Sequence, residues 1–229
     1  MTPLVLLPGM MCDARLFAPQ VAAFEGTRNV TVPVMRGDTV TAMAQDVLDN
    51  SPKRFALAGL SMGGIVAMEM LRLAPDRVDR IALLDTNPKA EHEAVQAMRE
   101  PQIAKVQDGH LSSVMRDEMK PNYLTDGPRR AAILDLCMDM AATLGADAFV
   151  AHSRALQTRP DQQDTLRNAT LPALILCGRD DALCPVHRHE LMASLMPHAT
   201  LHIVENAGHL PTLEQPEETT ATLARWLEA

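Results

Sequence analysis

Phe55-Ala56-Leu57-Ala58 runs into Gly59-Leu60-Ser61-Met62-Gly63, and Met62 to Leu73 runs out of it at helical spacing. The apolar tetrad predicts a buried strand, and the spacing after it predicts a helix. Small residues on both sides of a serine at such a junction predict a very sharp turn. The serine oxygen is then left exposed above the sheet edge. The same residues also fit a glycine-rich turn with an incidental serine, so the rest of the chain has to decide between the two.

Outward from that junction, short apolar runs alternate with amphipathic stretches. Strands are predicted at Leu4–Leu7, Val30–Val34, Phe55–Ala58, Arg80–Leu84, Ala173–Cys177 and Leu201–Val204. Each is nearly continuous in apolar residues, as parallel strands covered on both faces are. Helices are predicted at Ala14–Phe24, Val40–Asp49, Met62–Leu73, Val186–Leu195 and Pro216–Leu227. Pro216 suits a first helical turn, and Glu217 and Glu218 complement the helix dipole. The alternation predicts an α/β domain with an open, mostly parallel sheet and right-handed crossovers. From about Pro88 to Asn168 the rhythm breaks. That stretch has no strand signal and many helix formers, with breaks near Pro101, Gly109, Pro121, Gly127 and Gly145. It reads as a helical cap or lid, residues 88–168, inserted between two core segments, residues 1–87 and 169–229.

Composition narrows the function. The chain has 229 residues, enough for one α/β domain with an insertion. A formal charge of −8 argues against nucleic-acid and anionic-membrane partners, which need clustered Lys and Arg. No apolar run reaches a membrane span, and Met1-Thr2-Pro3-Leu4 leads into a strand without a basic leader. Cys12, Cys137, Cys177 and Cys184 form no CxxC pair and no zinc spacing. Free thiols and a cytoplasmic location are expected. The 15 methionines read mainly as core filler, with a few lining a pocket. Oligomeric state is open between monomer and homodimer.

A reactive serine needs a base, an orienting acid and an oxyanion hole. The base is His209, in Asn206-Ala207-Gly208-His209-Leu210 at the carboxyl end of the last strand, where open α/β sheets build their sites. His152, in the insertion, is the other histidine with a route to a cleft. The acid is sought in Gly178-Arg179-Asp180-Asp181, after another strand, and spacing separates Asp180 from Asp181 poorly. Asp85, at the end of the preceding strand, is a further candidate. The oxyanion hole would use the backbone N–H of Met62, next to the serine, and of Met10, in the loop Pro8-Gly9-Met10-Met11 after the first strand. Nucleophile, acid and histidine follow in that chain order.

Taken together, these pieces resemble the α/β-hydrolase superfamily, in particular small serine hydrolases with a helical cap. The matching segments are Leu7-Pro8-Gly9-Met10, Gly59-Leu60-Ser61-Met62-Gly63-Gly64, Gly178-Arg179-Asp180-Asp181 with Pro185, and Ala207-Gly208-His209-Leu210-Pro211 through Pro216. The resemblance implies a three-layer fold and a sheet of about six strands without the two usual N-terminal ones. Its register, three residues after Gly178 and four before Pro185, selects Asp181 over Asp180. It departs from the family where Pro8-Gly9 stands for the usual His-Gly. The function implied is a carboxylesterase-like hydrolase of a small carboxylic ester, through Ser61, His209 and Asp181 and an acyl-enzyme. The same resemblance admits carbon–carbon hydrolases, lactonases, thioesterases, cofactor-free haloperoxidases and lyases, or a non-catalytic binding module. No cofactor or metal is expected, since HExxH and G-x-G-x-x-G are both missing from the chain.

Overall fold

The computed structural model describes residues 1–120 and 123–229. Six strands form one sheet: β1 (Leu4–Leu7), β2 (Val30–Thr31), β3 (Phe55–Leu60), β4 (Val78–Leu84), β5 (Ala173–Gly178) and β6 (Thr200–Val204), in the order β2-β1-β3-β4-β5-β6. Every neighbouring pair is parallel. The chain steps from β1 outward to β2, then crosses back to β3. The order therefore reverses between β1 and β3. A crevice opens at the carboxyl ends of strands flanking such a reversal, and the loops there are Pro8-Gly9-Met10 and the Ser61 turn.

Side chains of a strand alternate between the two faces of its sheet. The core divides accordingly. Val5, Leu7, Leu57, Ile81, Leu83 and Ile175 pack with α2 (Val40–Asp49), α3 (Met62–Leu73) and α8 (Val186–Leu195) on one face. Leu4, Leu6, Ala58, Ala82, Leu84 and Leu176 pack with α1 (Ala18–Phe24), the short α9 (Pro211–Glu214) and α10 (Pro216–Glu228) on the other. Three layers result because the central strands are apolar at consecutive positions, so neither face can be left to water.

The differences from the sequence reading have local causes. β2 stops at Thr31 rather than Val34, because Pro33 cannot donate to a ladder and Val34 is 54% exposed at the sheet edge. The first predicted helix opens with a 3₁₀ turn, Ala14–Phe17, before α1. Between β4 and β5 the chain is helical: α4 (Glu93–Gln107), the short α5 (Leu111–Ser113) with a π turn after it, α6 (Arg130–Gln157) and α7 (Gln163–Arg167). Pro101 does not break α4 but lies inside it on an exposed face, where water can solvate the carbonyl that proline leaves unpaired. Gly145 does interrupt α6, at φ 82°. The expected break at Pro121 lies outside the described residues. Among the described residues no helix is long and apolar enough to cross a membrane.

Candidate active site

The turn between β3 and α3 holds Ser61 at φ 56° and ψ −116°, a conformation that costs a non-glycine residue about 1–3 kcal/mol. Its surroundings enforce it. A Cβ on Gly59 would lie 2.2 Å from the Gly63 carbonyl oxygen, and one on Gly63 would lie 2.0 Å from the Leu7 carbonyl oxygen. Only hydrogen fits where α3 starts against β1 and β3. Ser61 N–H donates to the Leu84 carbonyl at 2.9 Å, and the Thr86 hydroxyl donates to the Ser61 carbonyl at 2.7 Å. Thr86 is in turn fixed by its own N–H, which donates to His189 Nε2 at 3.1 Å.

His209 and Asp181 meet across the ends of β5 and β6. Nδ1 of His209 lies 2.8 Å from Oδ2 of Asp181, with the side chains 5% and 0% exposed. Oδ1 of Asp181 accepts the N–H groups of Leu183 at 2.8 Å and Cys184 at 2.9 Å. Burial pushes this carboxyl up, but His209 and the two N–H donors outweigh it and hold the group below its ordinary value. Asp180 is exposed, and its side chain is not part of this arrangement. Ser61 and His209 line one cavity of about 770 Å³ between the sheet ends and the helical insertion. Among the described residues Ser61 Oγ makes no hydrogen bond to His209.

Asp85 is buried beside Asp181 and plays another part. Its Oδ1 accepts the Gly178 N–H at 2.9 Å, while Oδ2 has no donor and faces Asp181. Burial, and then the charge of Asp181, push its carboxyl well above the ordinary value. Asp181 already accepts from three donors, so of the two carboxyls it is Asp85 whose protonated form is favoured. The native chain thus keeps a proton that the unfolded chain releases above about pH 4, and stability falls as pH rises from there toward the folded value. Asp85→Asn, which needs no such proton, should raise the melting temperature by a few degrees at pH 8 and by less at pH 5. A gap between the two proteins that does not widen with pH would refute the protonated assignment.

The loop after β1 carries Met10 and Met62 faces it. Among the described residues neither backbone N–H has a protein acceptor, and both residues line the cavity. Met62 opens α3, so its N–H is one of the unpaired donors of a helix start. The Pro8-Gly9 loop is held by a Cys12 N–H bond to the Gly9 carbonyl at 3.1 Å and by Met11 N–H donating to His152 Nδ1 at 3.3 Å. Burial lowers the His152 pKa to about 4, so this imidazole is a neutral acceptor. The sequence suggested that His152 could face the cleft; it braces the loop instead.

Sequence reasoning also missed Glu214. Its Oε1 accepts the N–H groups of Gly208 at 2.9 Å and Leu210 at 3.1 Å, on either side of His209, and its Oε2 takes Thr125 N–H at 3.0 Å. The same carboxylate ties the His209 loop to the insertion, whose Tyr123 carbonyl accepts the His209 N–H at 2.7 Å. No local pattern announces these contacts. The carboxylate of Asp181, the thiol of Cys184 and a His209 nitrogen lie within 4.8 Å of one another. They suit a cation poorly. Burial pushes the Cys184 thiol far up, so it stays protonated, and Asp181 already accepts three N–H groups.

A family model described as "Alpha/beta hydrolase family" matches residues 4–222. The chain belongs to the α/β-hydrolase family. Among its relatives in that family is a pimeloyl-[acyl-carrier protein] methyl ester esterase from Aromatoleum aromaticum. It is 26% identical over 93% of this chain and 87% of the relative. An uncharacterized carboxylesterase, nap, from Bacillus subtilis is 24% identical over 99% of this chain and 79% of its own. Among solved structures, a thermophilic esterase from Thermogutta terrifontis superposes with a TM-score of 0.91 at 26% identity, covering 100% of this chain and 90% of that one. The α/β-hydrolase fold implied by the four matching segments taken together is thus the fold of residues 4–222.

Proposed function

We propose that this α/β hydrolase is a serine esterase that cleaves small carboxylic esters through an acyl-enzyme. The observation that carries the reading is the buried 2.8 Å contact between His209 Nδ1 and Asp181 Oδ2 in the wall of the cavity that Ser61 lines. That contact fixes the proton on Nδ1 and leaves Nε2 as the base. Nε2 takes the Ser61 proton as Oγ attacks the acyl carbon. The N–H groups of Met10 and Met62 receive the developing oxyanion, where each donor is worth about 10²–10³ in rate. His209 returns the proton to the departing alkoxide, and then activates a water that releases the acid and restores Ser61. The helical insertion acts as the cap that selects the acyl or alcohol group.

The relative named for a pimeloyl-[acyl-carrier protein] methyl ester makes simple methyl esters the first substrates to try, with p-nitrophenyl esters as chromogenic reporters of the same chemistry. With p-nitrophenyl butyrate in rapid mixing, an esterase working through an acyl-enzyme should release p-nitrophenol in a burst approaching one equivalent per chain. The burst is expected wherever deacylation is the slower step. Absence of all turnover with short p-nitrophenyl and methyl esters would refute the reading and favour a binding role for the fold.

A further inference from the structure

The chain is acidic overall, yet the cavity around Ser61 is not. Its lining includes Lys89, Arg99, Arg159 and Arg188 against a single carboxylate, Glu91. Glu91 is buried, its side chain 2% exposed, and its two oxygens are shared between Arg99 and Arg159, themselves 13% and 11% exposed. Arg99 reaches it through Nε and Nη2, and Arg159 through Nη1 at 3.0 Å. One negative charge therefore faces two guanidinium groups with little water to screen them. Arg188 adds to the imbalance, since it and Arg99 both disfavour the charged form of Arg159, which burial already disfavours most. Among the described residues neither Lys89 Nζ nor the Arg188 guanidinium has a carboxylate partner.

This excess sits next to the chemistry. Arg99 Nη1 lies 3.9 Å from Sδ of Met10, the residue whose N–H is assigned to the oxyanion hole. Apolar side chains share the lining with these cations, Ile65, Val95, Leu156 and Leu191 among them. Crowded guanidinium groups in a half-closed cavity are stabilised by an anion that supplies the missing charge, and their planar forks match carboxylate and phosphate oxygens. The apolar side chains in the same lining suit a hydrocarbon spacer, and the approach of Arg99 to Met10 keeps that spacer short.

Resting on the esterase reading, we infer that the cavity takes esters bearing an anionic oxygen group, carboxylate or phosphate, a few carbon atoms from the ester carbonyl. Glu91 holds Arg99 and Arg159 in place, and the incoming anion completes the neutralisation. The half-ester of a dicarboxylic acid is the simplest member of the class.

The test compares kcat/KM for three methyl esters of similar length. They are methyl pentanoate, methyl hydrogen glutarate and the methyl ester of 4-phosphonooxybutanoate. The charged esters should be preferred by about tenfold or more, the scale of one charge-assisted hydrogen bond in a desolvated site. The preference should shrink with added sodium chloride. Whichever charged arm leads names the anion. Arg99→Gln and Arg188→Gln should each cut the charged-to-neutral ratio severalfold. Arg188 lies outside the Glu91 pairs, so its variant serves if the Arg99 variant folds poorly. Turnover of methyl pentanoate equal to or faster than both charged esters overturns the inference and leaves the esterase reading standing. Failure of every ester, p-nitrophenyl esters included, removes the esterase reading and this inference with it.

Discussion

Ser61→Ala should lower kcat/KM for p-nitrophenyl butyrate by about 10⁴–10⁶ while the protein stays folded. The size of the loss follows from the division of labour in the cavity. Without Oγ no acyl-enzyme can form, and His209 has only water to activate. What remains is the pair of backbone donors and the binding of the ester, which together leave a small residual rate. The fold should survive because the turn is held by its backbone. The Ser61 N–H bond to Leu84 and the Thr86 hydroxyl bond to the Ser61 carbonyl need no side chain at this position. An unchanged circular dichroism spectrum with the expected rate loss is the anticipated result. A variant retaining a tenth or more of the activity would mean that the nucleophile is elsewhere.

Asp181→Asn should cost about 10⁴ in kcat, and Asp180→Asn less than about twofold. The hydrogen bonds around Asp181 explain the contrast. Its Oδ1 accepts two N–H groups, from Leu183 and Cys184, so an amide there must place its oxygen at the same point. The amide nitrogen then faces His209 Nδ1, where Oδ2 lies 2.8 Å away in the native chain. Two donors cannot face each other, so the imidazole must carry its proton on Nε2. In that tautomer it cannot accept the proton of Ser61. Asp180 is exposed and its carboxylate makes no hydrogen bond or ion pair among the described residues, so its charge is screened by water. Kinetics of the two variants side by side distinguish the neighbours. The reverse pattern would move the acid to Asp180, and near-equal small losses would exclude both.

The fold was legible because its signals are local. Apolar strands such as Ala173–Gly178 are buried at every position, and α2, α3 and α8 begin and end where their spacing and flanking residues place them. Strand ends were less legible. β3 runs on through Gly59 and Leu60 because its ladder with β4 continues to Leu84, which only the pairing can reveal. In the insertion, Pro101 misled because proline inside a helix is tolerated on a solvated face, while Gly145 was read correctly as a discontinuity.

The site divides in the same way. Ser61 and His209 stand out in the sequence as candidates by the small residues around them, which let backbone approach backbone. Their supports do not. His152 braces the Met11 N–H from a distance of 141 residues, and His189 accepts the Thr86 N–H across 103. Glu214 joins two loops that nothing in the sequence pairs. Such residues carry no signature beyond being polar in an otherwise apolar place, and a single sequence does not show which polar residues are buried. The charge imbalance of the cavity was hidden likewise, because Lys89, Arg99, Arg159 and Arg188 come from separate segments of an acidic chain.

The central claim is that Ser61 is an activated nucleophile. Intact-protein mass after treatment with a fluorophosphonate, on wild type and Ser61→Ala in parallel, tests it most directly. One adduct per chain in the wild type and none in the variant is the predicted result. An adduct that persists in Ser61→Ala, or its absence from folded wild-type protein that hydrolyses esters, would contradict the assignment.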